Sequence, residues 1–212
     1  MNNTLEDIKR GIIEGDQSLV ATRMKSALTE GIDPTDILDS MAQAMRNVGK
    51  LFEDGEFFIP EMLVSARAMQ KGMEILQPSL TIGNVKAKGK IIIGTVKGDL
   101  HDIGKNLVGI LLKGAGYEVE DLGTDVSPEI FVEKVKLGGV DILALSALLT
   151  TTMMGMKTVV ETIINAGMRN NIKIIIGGAP ITENFATQIG ADGYAQDASK
   201  AVKLVDNLLE YS

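Results

Sequence analysis

The only histidine of this 212-residue chain, His101, lies between Asp99 and Asp102, and the chain contains no cysteine. Imidazole is a common metal ligand, and a ligating imidazole usually donates its other N–H to a carboxylate. The spacing therefore predicts a metal-binding histidine oriented by a neighbouring aspartate. The alternative is a solvated loop histidine beside two aspartates that serve a turn or a helix cap.

The residue types elsewhere in the chain restrict the kind of metal site. Zinc sites usually use three or four nitrogen or sulfur ligands, which one histidine and no cysteine do not supply. A metal bound through His101 must therefore arrive with most of its ligands in place. A tetrapyrrole-type cofactor meets this condition, because its ring supplies the equatorial nitrogens and the protein supplies one axial imidazole.

The segments on either side of His101 place it in a strand-to-helix loop. Residues 90–96 form a short apolar run rich in β-branched residues, typical of a strand buried on both faces. From Lys105 onward, apolar residues recur at helical spacing. The loop lacks both the Gly-x-Gly-x-x-Gly pattern and a Walker lysine, so dinucleotide and P-loop functions are disfavoured.

The second half of the chain alternates between strand and helix patterns. Strands are predicted at 90–96, 117–122, 140–146, 172–177 and 193–195, and helices at 103–115, 127–138, 152–169, 182–189 and 198–210. This alternation predicts an α/β domain with a doubly wound, five-stranded parallel sheet. We expect the flavodoxin-like (Rossmann-like) order 2-1-3-4-5, which brings His101 and Ser146 to one carboxyl edge.

The first half reads as four helices around a methionine-rich core. The first ends near Gly15 and the second at Gly31, whereas Asp33-Pro34 opens the third and Pro60 the fourth. A polar, glycine-bounded segment follows them. We therefore predict a four-helix bundle at 1–83, a linker at 84–89 and the α/β domain at 90–212.

Charge and hydropathy exclude two classes of partner. A net charge of −7 and a pI near 4.8 argue against nucleic-acid binding. No apolar stretch reaches the length of a membrane span, and the N-terminus lacks the apolar region of a signal peptide. The sequence predicts a cytoplasmic protein without membrane contact.

Three separated motifs carry a resemblance to a known family. Asp99-x-His101-x-x-Gly104, Ser146-x-Leu148 and Gly177-Gly178 together resemble the cobalamin-binding domain of methionine synthase and the corrinoid proteins of anaerobic methyltransferase systems. Phe57-Phe58-Ile59-Pro60-Glu61 and Ser65-Ala66-Arg67 extend the resemblance into the helical half. It implies that His101 binds the cobalt of cobalamin or a related corrinoid, such as methylcobalamin, and replaces the cofactor's own base.

The resemblance also implies roles for further residues. Asp99 and Thr152 would form a relay with His101, although the family often has serine where this chain has Thr152. Glycines would line a slot for the displaced nucleotide tail, and Ser146 and Thr150 would bond its buried end. The cofactor-binding residues implied in this way are Gly98, Asp99, His101, Asp102, Ile103, Gly104, Ser146, Leu148, Thr150, Gly177, Gly178, Tyr194, Asp197, Ala198 and, on the helical cap, Phe52 and Ile59.

The function implied is that of a methyl carrier rather than a complete enzyme. Such a protein accepts a methyl group on cob(I)alamin from a substrate-specific methyltransferase. It then delivers the methyl group to a second methyltransferase, whose acceptor is a folate or a thiol. A reductive activating protein is a further expected partner. Methylamines, methoxylated aromatics, methanol and betaines are all compatible methyl donors.

Two other cobalamin functions remain open on the motifs alone. The small cobalamin subunit of a carbon-skeleton mutase shares the histidine loop but does not need the helical cap. A cobalamin-dependent sensor would need a basic DNA-binding element, which the acidic N-terminal half does not offer. A phosphoacceptor receiver domain is disfavoured, because Leu145-Ser146 stands where its aspartate should end the third strand.

Overall fold

The computed structural model of the chain describes residues 3–82 and 87–210. The chain forms two compact units, Met1–Ala87 with Lys113–Gly116, and Lys88–Leu112 with Tyr117–Ser212. Residues 84–86 of the predicted linker at 84–89 lie outside the described residues, as does the predicted boundary at 83. The linker therefore stays a prediction.

The first unit consists of the four predicted helices. They are α1 (Asn3–Glu14), α2 (Gln17–Thr29), α3 (Pro34–Glu53) and α4 (Ile59–Ile82). The side chains of Asp16 and Asp33 cap α2 and α3, each by accepting a hydrogen bond from backbone N–H groups of the first turn. Local capping thus sets where these helices begin.

The interior of the helical unit is aliphatic and rich in methionine. Its fully buried members include Ile8, Ile12, Met24, Ile37, Met41, Met62, Met69 and Leu76. One carboxylate, Asp7, is also buried, and it is paired with Arg10 at 2.7 Å and Arg23 at 2.9 Å. A buried charge is tolerated where it is paired in this way.

The second unit is a five-stranded sheet in which every pairing is parallel. The strands are β1 (Lys90–Thr95), β2 (Glu118–Asp121), β3 (Ile142–Ser146), β4 (Lys173–Gly177) and β5 (Gly193–Ala195), in the order β2-β1-β3-β4-β5. The helices are α5 (Ile103–Gly114), α6 (Pro128–Lys136), α7 (Met154–Asn165), α8 (Glu183–Ile189) and α9 (Ala198–Glu210). The predicted flavodoxin-like order is confirmed.

The strand register brings the sequence motifs to one edge of the sheet. Thr95 of β1 is paired with Ser146 of β3, and Ser146 is paired with Gly177 of β4. The loops that follow these strands therefore start at the same level. In open α/β sheets this edge is where ligands bind.

The helix predicted at 152–169 is shorter than expected at both ends. The Thr152 N–H bonds to the Leu149 carbonyl in a turn that precedes α7. At the other end, Gly167 has a φ of +72° and the Met168 N–H bonds to the Ile163 carbonyl, which is a Schellman ending. A short 3₁₀ turn then spans Arg169–Asn171.

Within the part of the chain that the structure describes, none of the helices has both the length and the apolarity to cross a lipid bilayer.

Candidate functional site

His101 lies in the loop between β1 and α5, with its backbone fixed and its ring half exposed. The Thr95 hydroxyl donates to the His101 carbonyl at 3.0 Å. The Asp99 N–H bonds to the Val96 carbonyl at 3.1 Å, and Gly98 between them has a φ of +84°. The His101 side chain is 50% exposed. The loop therefore presents the imidazole to a ligand instead of burying it.

Asp99 is the fully buried centre of this loop. Its Oδ1 accepts the His101 backbone N–H at 3.0 Å and lies 2.8 Å from His101 Nδ1. Its Oδ2 accepts the Leu148 N–H at 2.8 Å and the Thr152 hydroxyl at 2.6 Å. Because an ionised carboxylate only accepts hydrogen bonds, His101 Nδ1 carries the proton and Nε2 keeps its lone pair for a metal.

Two opposing effects act on the pKa of Asp99. Burial raises the pKa, whereas hydrogen bonds from the Thr152 hydroxyl, the Leu148 N–H and both the backbone and the ring of His101 lower it. Together these donors hold the pKa of Asp99 far below its usual range. The carboxylate is therefore ionised at any physiological pH, and it accepts the Nδ1–H of His101 as a charged acceptor.

The predicted group of Asp99, His101 and Thr152 is thus assembled in the structure. The threonine methyl group, absent from serine, finds room beside Gly98, since a Cβ built on that glycine would lie 3.8 Å from Thr152 Cγ2. That distance is ordinary van der Waals contact. Threonine in place of serine therefore leaves the hydroxyl bonded to Asp99.

Contacts within the backbone of the sheet by themselves require glycine at Gly178. Gly178 has a φ of +135°, and a Cβ built there would lie 1.8 Å from the Ala147 carbonyl oxygen. A Cβ on Gly177 would lie 3.0 Å from the Ala195 carbonyl oxygen. The glycine pair thus lets the ends of β3, β4 and β5 approach closely, and backbone atoms occupy the space that side chains would need.

The hydroxyl residues at the end of β3 are accessible to a ligand. Ser146 is partly buried and Thr150 is exposed, and within the described residues neither hydroxyl makes a hydrogen bond. Leu148 donates its backbone N–H to Asp99 while its side chain is exposed. The β3–α7 loop thus both holds Asp99 and presents free hydroxyls.

The predicted residues at the end of β5 have structural roles of their own. Tyr194 is partly buried and packs against the apolar core of the sheet. Asp197 Oδ1 accepts the Lys200 N–H at 2.8 Å and so caps α9, in which Ala198 is buried. These contacts do not by themselves indicate a ligand.

Both halves of the chain match B12-binding domain families. One B12 binding domain matches residues 89–203, and another matches residues 4–77. The chain belongs to the B12-binding protein family. The cobalamin cofactor predicted from the sequence is thereby confirmed, as is the predicted kinship with corrinoid proteins of methyltransferase systems.

The similarity of this B12-binding protein to its relatives extends over most of their length. It is 41% identical over 209 residues to a corrinoid protein of Desulfitobacterium hafniense, with 97% of each chain covered. It is 42% identical over 207 residues to dimethylamine corrinoid protein 1 of Methanosarcina acetivorans, again with 97% of each covered. A chain in the crystal structure of the methanol:cobalamin methyltransferase complex of Methanosarcina barkeri is 32% identical, with a TM-score of 0.88, and the match covers all of this chain and 81% of that one.

The donor set and surface of the B12-binding unit fit a corrinoid. Within residues 3–82 and 87–210, no cluster of three or more histidine, aspartate or glutamate side chains is placed to hold a bare metal ion. The two loops that meet at Asp99, together with the first residues of the helices that follow them, instead expose large apolar side chains; these are Leu100, Ile103, Leu148, Leu149 and Met154. Such a surface suits a metal already held in a largely apolar ring.

The remaining predicted residues lie around this surface or in the helical unit. Asp102 Oδ2 accepts the Asn106 side-chain N–H at 3.0 Å, and no atom lies within 4 Å of a Cβ built on Gly104. In the helical unit, Ile59 is about half exposed at the start of α4, and Phe52 is partly buried near the end of α3.

Sequence reasoning missed two charged residues that support the histidine loop. The Lys105 side chain is only 1% exposed, and its ammonium bonds to Asp121 at the end of β2 and to Asn106 Oδ1. Asp125, in the β2–α6 loop, accepts the Gly98 N–H at 2.7 Å. Asp121 at the end of β2 was a weak sequence signal for the contact with Lys105. No sequence signal pointed to the contact between Asp125 and Gly98.

Proposed function

We propose that this protein is the methyl-carrying corrinoid subunit of a methyltransferase system. The observation that carries the proposal is the buried Asp99, which holds one half-exposed imidazole with its Nε2 free, in a chain whose two halves are both B12-binding. When bound, the corrinoid supplies a cobalt centre that receives a methyl group from one methyltransferase and yields it to another.

In this proposal His101 Nε2 would bind the cobalt of the corrinoid, and Asp99 would orient the imidazole through its Nδ1–H. A carboxylate that accepts the Nδ1–H makes the imidazole a stronger donor and fixes its tautomer. Thr152 donates to the other carboxylate oxygen and holds Asp99 in place.

The surrounding residues would receive the rest of the cofactor. Ser146 and Thr150 would donate hydrogen bonds to its displaced base, and the exposed apolar residues near His101 would contact the ring. Phe52 and Ile59 are the cofactor contacts that the family resemblance assigns to the helical unit, and apolar side chains of this kind would keep water from a reactive cobalt. Domains at 1–83 and 90–212, joined by a linker at 84–89, would divide these tasks.

The relatives support partners of the methyltransferase class. One solved relative is a chain of a methanol:cobalamin methyltransferase complex, and curated relatives are named for dimethylamine and trimethylamine. We extend this to a substrate-specific methyltransferase, a second methyltransferase that takes the methyl group and a reductive activating protein, all acting in the cytoplasm. Since the relatives are named for different methyl donors, their names leave the donor open.

The match of the helical half supports the carrier over the mutase subunit. Residues 4–77 match a B12-binding domain of their own, and relatives named as corrinoid proteins align over 97% of their length. A mutase subunit does not require such a helical half.

The test is reconstitution of ¹⁵N-histidine-labelled protein with hydroxocobalamin, followed by visible spectroscopy and, after one-electron reduction to paramagnetic Co(II), EPR spectroscopy of the wild type and His101→Ala. We expect a bound corrinoid in which the cofactor's own base is displaced, with ¹⁵N coupling to cobalt that disappears in the variant. Methyl transfer to and from the bound corrinoid is then assayed with a methylamine and a methanol methyltransferase in turn. A protein that binds no corrinoid, or a variant with unchanged coupling, would contradict the proposal.

A further inference from the structure

We infer that Asp125 is a positioning residue for the axial histidine, acting from a loop that belongs to a different strand. Its carboxylate Oδ1 accepts the Gly98 N–H at 2.7 Å, and its own N–H donates to the Asp99 carbonyl at 3.0 Å. The two hydrogen bonds hold the chain on both sides of the Gly98–Asp99 peptide. The inference rests on the proposed function in so far as His101 is the cobalt ligand.

The backbone conformation of Asp125 indicates that its side chain is required. Asp125 has a φ of +55° and is the only described non-glycine residue with a positive φ. Glycine adopts this conformation without steric strain, whereas an L-residue does so at a cost that aspartate and asparagine bear best. Glycine would adopt this backbone conformation at a lower cost than aspartate. The hydrogen bond that the carboxylate accepts from Gly98 therefore explains why aspartate stands here.

The rest of the β2–α6 loop supports the same contact. The Gly123 carbonyl accepts the Thr95 N–H at 3.0 Å, and the Val126 N–H donates to the Thr95 carbonyl at 3.0 Å. Thr95 in turn donates its hydroxyl to the His101 carbonyl. The loop is thus joined to the end of β1 through Thr95 and to the histidine loop through Asp125.

The consequence concerns the orientation of the imidazole. Asp99 orients the His101 ring by accepting its Nδ1–H, and this orientation is defined only if Asp99 is itself held in place. The Leu148 N–H and the Thr152 hydroxyl fix the Asp99 side chain from the β3–α7 loop, and Asp125 fixes the Asp99 backbone from the β2–α6 loop. Two loops from opposite sides of β1 therefore hold Asp99, one by its carboxylate and one by its backbone carbonyl.

The chain offers a matched control at the other end of β1. Asp141 Oδ2 accepts the Lys90 N–H at 2.7 Å, and the Asp141 N–H donates to the Lys90 carbonyl at 2.9 Å. This is the same pair of contacts, located at the amino edge of the sheet and away from His101. Asp141→Gly therefore removes an equivalent carboxylate contact without touching the histidine loop.

The experiment compares Asp125→Gly, Asp125→Asn and Asp141→Gly with the wild type, first by amide hydrogen exchange of the cofactor-free protein. Asn keeps an acceptor and tolerates the positive φ, whereas Gly keeps the backbone conformation and removes the acceptor. In Asp125→Gly we expect exchange of the Gly98 and His101 amides to accelerate about tenfold, which corresponds to the loss of one hydrogen bond. In Asp125→Asn and Asp141→Gly these two amides should stay within about twofold of the wild type.

The second measurement is the fraction of bound hydroxocobalamin that shows axial nitrogen coupling in EPR after reduction. That fraction should fall in Asp125→Gly and be retained in Asp125→Asn and Asp141→Gly. If Asp125→Gly matches the wild type in both His101 exchange and nitrogen coupling, the inference is wrong. If the wild type itself shows no coupling from His101, the proposed function fails, whereas the exchange data still decide whether Asp125 positions the loop.

Discussion

The Thr152 hydroxyl lies 2.6 Å from Asp99 Oδ2, the carboxylate oxygen that does not contact the His101 ring. One oxygen of this buried carboxylate thus contacts the imidazole, and the other accepts hydrogen bonds from the β3–α7 loop. The hydroxyl accordingly acts on His101 only through Asp99. Its removal should therefore weaken the orientation of the ring without removing the ligand.

Thr152→Val and Thr152→Ser separate the hydroxyl from the methyl group. Valine keeps the shape and removes the donor, so we expect a loss of about 1 kcal/mol in the free energy of unfolding and weaker axial coordination. Serine keeps the donor and should coordinate like the wild type. Urea titration and the visible spectrum of the reconstituted protein measure the two effects, and equal behaviour of the two variants would show that the hydroxyl is dispensable.

Asp99→Asn tests the charge at the centre of the site. The amide nitrogen must face at least one donor that the carboxylate accepts, so we expect the free energy of unfolding to fall by about 1–3 kcal/mol. Cobalamin affinity should fall about 10- to 100-fold, as is typical when the partner of a metal-ligating histidine is changed. Equilibrium dialysis measures the affinity, and Asp141→Asn, at an exposed aspartate on the opposite edge of the sheet, is the control.

The stability difference between the wild type and Asp99→Asn should depend on pH. Because the pKa of Asp99 is lower in the folded chain than its ordinary value of 3.8, ionised Asp99 stabilises the fold above that value. This contribution is lost as the pH falls below it. The stability difference between wild type and Asp99→Asn should therefore be constant from about pH 5 to 7 and shrink below about pH 4. A difference that grows toward low pH would contradict the assignment.

The placement of the site was largely predictable because it depends on local patterns. The change from the apolar run of β1 to helical spacing in α5 located the loop of His101. The carboxyl ends of parallel strands share one edge, so the predicted order placed Ser146 and Gly177 beside that loop. The pairing of Asp99 with His101 followed from the chemistry of ligating imidazoles.

The contacts that the sequence did not predict join separate loops. Lys105 stands in the first turn of a helix, where a lysine is normally solvated, and its burial follows from the position of Asp121 at the end of β2. Asp125 acts through a bond to the Gly98 backbone, which no side-chain pattern records. The approach of the Ala147 carbonyl, which requires glycine at Gly178, was not predicted either, and the role of Gly178 in a ligand slot stays a prediction.

Lys105→Met should destabilise the α/β unit. The substitution leaves the Asp121 carboxylate without its ammonium partner, although Asp121 is about one-third exposed and water compensates in part. We expect a loss of about 1–3 kcal/mol in the free energy of unfolding by urea titration. Lys200→Met removes an exposed ion pair with Asp197 and should cost less than about 1 kcal/mol. Similar costs for the two variants would show that burial of Lys105 contributes nothing.

Gly178→Ala tests the close approach of two backbones. Its methyl group would have to lie 1.8 Å from the Ala147 carbonyl oxygen, so the ends of β3 and β4 must separate. We expect a loss of at least about 3 kcal/mol in the free energy of unfolding.

Gly190→Ala is the matched control, because Gly190 has a φ of +77° with no atom within 4 Å of a built Cβ. Backbone strain alone should then cost about 1–2 kcal/mol. Equal losses in the two variants would mean that strain at positive φ, and not the Ala147 contact, makes glycine necessary at Gly178.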